Sequence, residues 1–385
     1  MAHRICVISY RDMKHPEAGG AEVIIEEVFG RLADQGHDVT LLTGAFPGGE
    51  SRDRIGNMEI HRTGNQYNFN FAAPAYFKKH LAPRGYDVVV EDINKIPFFM
   101  PRHTTVPVLA IVPHLFGSTV FQQASFPIAA YVYFYERFIP RVYRRCMFSV
   151  LSGTTRDDLK ARGIPERNLR LIHSGMDHDL YKPSTVAVSD RAPRIVYLGR
   201  IKKYKCIEYP ILALPKILES APNAEYWVVG DGDYTEELKR IAQRTGVADH
   251  VHFPGFVGGK DKVKLLQESR VLAYTSPKEG WGLSVIEAGA CATPVIASDS
   301  PGLKESVIDG KTGFLVGHGD IPALAGKTAR ILTEDTLAAD MALEGVKWAA
   351  TFNWETSTRK TLDLMDEIVD RSTRIPVTPR TEAGS

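Results

Sequence analysis

Short apolar runs of strand length alternate with amphipathic stretches of helix length, and this alternation passes through the chain twice. ICVIS (5–9) leads into a helical pattern from Ala21 to Gln35, and DVTLLT, DVVVED, VPVLAIV and FSVLS follow. The second half restarts with RIVYLGR, AEYWVVGDG, HVHFPGF, VLAYTS and TPVIAS. Strands that are apolar throughout are covered on both faces, and alternation with helices joins them in parallel. The expected fold class is therefore α/β, with two doubly wound, Rossmann-like domains.

The polar stretch LYKPSTVAVSDRAP (180–193) carries no period and joins the halves, so domains are expected over 1–185 and 186–350. Two such sheets turn the carboxyl ends of their strands toward one cleft, where ligands of open α/β folds bind. A further helical pattern runs from Ala349 to Val369, and the Pro/Thr/Ser-rich tail from Arg371 is expected to be disordered. The 47 basic and 46 acidic side chains balance, which excludes a chain that works by coating nucleic acid. Cys6, Cys146, Cys206 and Cys291 have neither disulfide-framework nor metal-ligand spacing. MAHRICVISY lacks a signal-peptide pattern, and no apolar run approaches the ~18 residues of a membrane span. A cytoplasmic location is expected.

The residues able to do chemistry gather in SPKEGWGLSVIEAGACATPVIA (276–297). After the strand VLAYTS the chain turns through Glu279, Gly280, Trp281 and Gly282, then starts a helix near Leu283 that carries Glu287. Glycines let the backbone approach a ligand, and a helix start presents unpaired N–H groups to an anion. A phosphate is the expected guest, with the two carboxylates serving sugar and ribose hydroxyls beside it. Arg200 ends another strand and Lys205 follows in the next turn, two cations for a leaving diphosphate. Gly19 and Gly20 stand between the first strand and its helix. His114 follows VPVLAIVP at a strand end, where an isolated histidine is most simply structural.

This sequence resembles the retaining glycosyltransferases of family 4, which have the GT-B fold of two facing Rossmann-like domains. The resemblance covers roughly Ile5 to Val369. It rests on the E-x7-E pair Glu279 and Glu287 followed by AGACATPVIASDSPGLKESVIDGKTGFLV, on Arg200-x4-Lys205, and on the stretch from GGAE to GHDVTLLT. It implies an acceptor-binding first domain, a nucleotide-sugar-binding second domain, and a helix over 351–370 that crosses back to the first. Glu279 would contact the donor sugar and Glu287 the ribose. The N–H groups of Gly282 and Leu283 would hold the diphosphate, with Gly280 and Trp281 completing the donor loop and Gly19 and Gly20 lining the cleft opposite. His114 would contact the sugar, and the base would lie against backbone near Phe256 and Val257. Arg200 and Lys205 replace a metal ion in the family, although Cys206 stands where it has a glycine.

The Asp231/Asp233 triplet matches the family's turn before a helix, so Asp231 is read as a turn residue. Asp177 and Asp179 form the other such triplet, and no metal or cofactor is expected. GDGDYT lacks the third glycine of a dinucleotide fingerprint, against an oxidoreductase. The implied activity is metal-independent transfer of a sugar from a UDP- or GDP-sugar to a hydroxyl of a glycan, glycolipid or lipid-linked acceptor. The alternatives are a nucleotide-sugar 2-epimerase and a non-catalytic nucleotide-sugar-binding subunit.

On the acceptor side, Glu91, Asp92 and Asn94 follow strand DVVV and are candidate contacts. Residues 126–148, FPIAAYVYFYERFIPRVYRRCMF, carry eight aromatics and four arginines. Read as a helix kinked at Pro140, they place Arg137, Arg141 and Arg144 on one face. The preferred reading is a helix packed on the sheet with a solvated basic edge. The alternative is peripheral contact with an anionic membrane surface at its inner face.

Overall fold

Valine, isoleucine and leucine fill strands that are buried on both faces, and helices cover them. The computed structural model describes residues 2–94, 96–122 and 125–374. The first unit contains β1 (Arg4–Ile8), α1 (Gly20–Asp34), β2 (Asp38–Gly44), β3 (Arg52–Ile55), β4 (Met58–Thr63), α2 (Phe69–Tyr76), β5 (Val88–Asp92) and β6 (Val108–Val112). It continues with α3 (Phe126–Glu136), α4 (Ile139–Val142), β7 (Met147–Val150), α5 (Gly153–Ala161) and β8 (Leu169–Leu171). Its eight strands lie in the order β3-β4-β2-β1-β5-β6-β7-β8, and only the β3–β4 pair is antiparallel among the described pairings.

The second unit runs β9 (Arg194–Leu198), α6 (Glu208–Leu218), β10 (Glu225–Val229), α7 (Thr235–Arg244), β11 (Val251–Gly255), α8 (Gly259–Glu268), β12 (Val271–Tyr274), α9 (Leu283–Ala290), β13 (Val295–Ser298), α10 (Leu303–Ser306) and β14 (Gly313–Val316). Helices α11 (Ile321–Thr333), α12 (Asp335–Ala349) and α13 (Trp354–Arg374) follow. Its six strands are parallel in the order β11-β10-β9-β12-β13-β14. Strand order reverses between β1 and β5 in one sheet and between β9 and β12 in the other. These switch points open the crevices in which such sheets bind ligands.

Helix α13 returns to the first unit, where Leu364, Met365 and Ile368 share a core with Ile24, Ile25 and Val28 of α1. Arg170 donates to the Glu367 carboxylate at 3.1 Å and fixes the crossing from outside the core. The helix runs to Arg374, a correction to the disordered tail expected from Arg371. Arg371 pairs with Glu367 one turn back and reaches the Met147 sulfur at 3.4 Å, which holds the last turn. Residues 375–385 lie outside the described part.

The single helix read over 126–148 also needs correction. Helix α3 stops at Glu136, Pro140 sits in the first turn of the short α4, and Met147 already belongs to β7. Proline lacks the N–H and blocks the carbonyl four residues back, so it starts a new helix here rather than kinking the old one. Arg137, Arg141, Arg144 and Arg145 are all exposed, but they share no helix face.

Candidate active site

Both switch points carry residues singled out by sequence. Arg200 follows β9, and the loop 275–282 follows β12. That loop ends at Gly282, whose φ of 88° is a left-handed conformation that only glycine adopts without strain. A Cβ at Gly302 would stand 2.2 Å from the Glu279 carbonyl oxygen, and the Glu279 N–H donates to Pro301 at 2.9 Å. The backbone of Glu279 is therefore fixed by the turn before α10. Across the cleft, Gly19 is extended and donates its N–H to the Glu22 carboxylate at 2.7 Å, starting α1. A Cβ on Gly20 would lie 3.4 Å from the Leu283 side chain. The first turns of α1 and α9 thus meet across the cleft, and two positive helix ends converge there.

Lys205 and Glu279 form the charged centre, with Nζ 2.5 Å from Oε1 and both side chains largely buried. Burial on its own would depress the Lys205 ammonium, but the Glu279 carboxylate reverses this and raises its pKa. Lys205 ends a short helical turn, Lys203–Lys205, and Cys206 after it has φ 52°. The residue standing in place of the family glycine has kept the glycine-like backbone. Arg200 is exposed to the cleft and donates to the Tyr204 hydroxyl at 3.4 Å. Desolvation by the surrounding crevice walls pulls its pKa down, but Tyr204, Glu22, Tyr274 and Glu279 outweigh this and raise it. His114 packs edge-on against Phe116, and burial first, then Lys278, Lys205 and Arg200, push its pKa down to about 4 against the pull of Glu279. The imidazole is therefore neutral at neutral pH.

Glu287, inside α9, accepts from Lys262 of α8 at 2.6 Å, and the Lys262 ammonium lies over the Tyr181 ring at 5.4 Å. Phe256 is 74% exposed just beyond β11, with Val257 half-buried beside it. The structure thus brings Arg200, Lys205, Glu279, His114 and the first turns of α1 and α9 to one crevice. Asp231 sits exposed in the turn after β10, where a Cβ on neighbouring Gly232 would meet the Ile201 carbonyl at 1.9 Å. The close approach of two loops explains that glycine.

Three expected contacts are corrected. Trp281 is 3% exposed and packs against His173 and Phe352, with ring centroids at 4.2 and 5.2 Å. It anchors the loop 275–282 in the first unit's core, together with Ile286 and Ala290, and does not face the cleft. Glu91 is fully buried and accepts from the N–H groups of Phe98 (2.6 Å) and Met100 (3.1 Å) and the Tyr143 hydroxyl (2.5 Å). Burial outweighs those bonds and pushes its pKa up to about 7. It shapes the segment after β5 and has no surface for an acceptor. Asp92 is buried as well and accepts from the Ser9 hydroxyl at 2.8 Å. Asn94 remains half-buried near the strand end.

Sequence reasoning passed over several residues. Glu22 was legible as the third residue after Gly19 in a capping pattern. Lys262 and Glu305 carry no sequence signal, because their partners are 25 and about 150 residues away. Glu305 of the second unit accepts from the N–H groups of Gly153 (2.5 Å) and Thr154 (2.8 Å) at the start of α5 in the first. Among the described residues no cluster of three or more His, Cys, Asp or Glu has metal-binding geometry.

Facing doubly wound units with cations and helix ends in their crevice define a GT-B transferase architecture. Residues 18–180 match the family described as Glycosyltransferase Family 4, and residues 183–348 match Glycosyl transferases group 1. The chain belongs to the family 4 (group 1) glycosyltransferases. It is 32% identical over 225 residues to a GDP-mannose-dependent alpha-(1-6)-phosphatidylinositol monomannoside mannosyltransferase of Mycolicibacterium smegmatis, covering 54% of this chain and 58% of the relative. It is also 32% identical over 212 residues to a D-inositol 3-phosphate glycosyltransferase of Streptomyces avermitilis, covering 50% of this chain and 46% of that one. The chain thus spans about half the length of these relatives. In fold it is similar to a sucrose-phosphate synthase from Thermosynechococcus elongatus, with TM-score 0.80, 24% identity, and coverage of 96% of this chain and 100% of that one. It is likewise similar to Anabaena Alr3699/HepE in complex with UDP and glucose, with TM-score 0.76, 19% identity, and coverage of 95% and 100%.

Proposed function

We propose that this chain moves a hexosyl group from a UDP- or GDP-sugar to a hydroxyl acceptor with retention at the anomeric carbon and without a metal ion. The observation that carries the proposal is the convergence of Arg200, the Lys205–Glu279 pair and two helix N-termini on one crevice. When the diphosphate enters, Lys205 shifts its hydrogen bonds from Glu279 to the phosphate, and Glu279 is released to the sugar hydroxyls. Arg200 and the N–H groups of Gly282 and Leu283 take up the charge that builds on the leaving phosphate, an effect worth about 10²- to 10³-fold in rate per donor. Neutral His114 orients the sugar through a hydrogen bond without adding a competing charge. On the same-face route the leaving phosphate takes the acceptor proton, and the acceptor oxygen forms its new bond as the old one breaks. Glu287, held by Lys262, serves the ribose, and the base lies beside Phe256 and Val257.

We read the first unit as the acceptor side over 1–185 and the second as the donor side over 186–350. We read 126–148 as the segment that would carry a peripheral contact with a membrane holding a lipid-linked acceptor. Among the described residues no helix is long and apolar enough to cross a membrane. GDP-mannose is the first donor to test, because relatives near 30% identity are named for it. Purified chain is incubated with UDP- and GDP-sugars, with and without inositol-lipid acceptors, and products are read by mass. Acceptor-dependent transfer that falls about 10²- to 10³-fold in Arg200→Ala is the expected result. Normal turnover of the folded variant, or epimerised donor formed without acceptor, would refute it.

A further inference from the structure

Arg200, Lys202, Lys203 and Lys205 crowd one short stretch, and the structure sends these cations to different places. Lys202 donates to the Asp233 carboxylate at 2.8 Å, in the turn after β10, and Lys203 is exposed. Arg200 and Lys205 remain for the crevice, where like charges repel unless something holds them. Tyr204 touches both. The Arg200 guanidinium donates to its hydroxyl at 3.4 Å, and among the described residues no carboxylate is ion-paired with Arg200. The Lys205 ammonium stands 5.2 Å from the centroid of the Tyr204 ring and 5.5 Å from that of Tyr274. Both distances lie within the ~6 Å reach of a cation–π contact, which strengthens as the cation loses water. The Lys205 side chain is only 9% exposed.

The surroundings of this contact are built and held. Tyr274 is buried and stacks on Tyr197 at 5.4 Å, and the Tyr197 hydroxyl donates to the Arg200 carbonyl at 3.0 Å. Gly199 leaves room for both rings: a Cβ there would stand 3.0 Å from the Tyr197 hydroxyl oxygen and 3.4 Å from that of Tyr274. The Thr275 hydroxyl donates to the Cys206 carbonyl at 2.7 Å and ties the turn after Lys205 to the loop 275–282. Burial first, then the Glu279 carboxylate, hold the Tyr274 phenol well above its usual pKa, so it adds no charge to the crevice. The backbone at both cations and the floor under Lys205 are thus fixed, and Tyr204 supports the charged ends of both side chains.

We propose that Tyr204 is a positioning residue for both cations, its hydroxyl steadying Arg200 and its ring, with that of Tyr274, steadying Lys205, so that the two are aimed before a diphosphate arrives. The inference rests on the reading of Arg200 and Lys205 as the clamp on the leaving diphosphate. Without Tyr204, Lys205 is free to settle elsewhere on Glu279 and Arg200 sweeps through solvent, so only part of the donor-free enzyme presents both cations together. Apparent affinity for the anion then falls by that fraction. Donors that must be aligned at the moment of reaction also stabilise developing charge less than donors already in place.

The test titrates the full chain with inorganic pyrophosphate by calorimetry, with the melting temperature as the check on folding. Tyr204→Leu removes both supports and should weaken pyrophosphate about tenfold. Tyr204→Phe removes only the hydroxyl and should weaken it about threefold. Phenylalanines carrying one, two and three fluorines, placed at position 204, drain the ring face stepwise with little change of shape, and affinity should fall in the same steps. In the Lys205→Met background those steps should vanish, because the cation that reads the ring is gone. A flat fluorine series, or wild-type affinity in Tyr204→Leu, would overturn the proposal; affinity lost in Arg200→Ala and Lys205→Met in the same experiments would leave the clamp itself standing. Pyrophosphate affinity untouched by Arg200→Ala and Lys205→Met would overturn both, since there would be no clamp for Tyr204 to position.

Discussion

Replacing Lys205 by methionine removes the cation from a pair with side chains only 9% and 15% exposed, while keeping the length of the stem. Breaking a buried pair from one side costs about 3–5 kcal/mol, because the remaining carboxylate stays desolvated and unpartnered. The cleft admits some water to Glu279, so the low end, about 3 kcal/mol, is the expected loss. At about 2–4 °C per kcal/mol for a unit of this size, the transition of the second unit should fall by ~6–12 °C. Glu279→Gln in the same background removes the stranded charge and should return most of that loss, while activity stays at the level of the single variant. Chemical and thermal denaturation of wild type, both single variants and the double variant give the coupling directly. A coupling below about 0.5 kcal/mol would refute the buried pair as the organising contact of the crevice.

His114 has its pKa lowered to about 4 against an ordinary value of 6.5, so between those values the unfolded chain binds the proton and the folded one does not. Stability carried by neutral His114 is complete above pH ~6.5 and declines as pH falls toward about 4. Imidazole resonances that titrate near 4 by NMR, and a shallower acid decline in His114→Asn, would bear this out; titration near 6.5 would not. Trp281→Ala should destabilise by about 3–5 kcal/mol in denaturation because it empties a core site, whereas a stable variant that only loses donor affinity would restore the direct contact. Glu305→Ala leaves the Gly153 and Thr154 amides without their carboxylate, and charge-assisted bonds contribute about 1.5–3 kcal/mol each. The cleft should open, seen as a larger radius of gyration by solution scattering and a raised donor KM; unchanged scattering would show that the lobes are held by other contacts.

What the sequence determined by itself was whatever depends on near neighbours in the chain. Apolar runs marked β1, β5, β6, β9 and β12, because a strand covered on both faces has few polar positions. The turn at 279–282 and the Arg200–Lys205 spacing were legible because strand, turn and helix are local. Residues 126–148 misled, since periodicity does not weigh the break at Pro140 against the strand that follows. Trp281, Glu91 and Asp92 also misled: their position at a strand end or loop says that they are near the cleft, but not which way each side chain turns. Tertiary structure alone decided that Trp281 sinks between His173 and Phe352, and that Glu91 turns inward to the Phe98 and Met100 amides. It also decided that Lys262 reaches Glu287 and Glu305 caps a helix of the other unit. Such choices follow from packing and from finding a partner for every buried charge, and both depend on atoms brought together from distant parts of the chain.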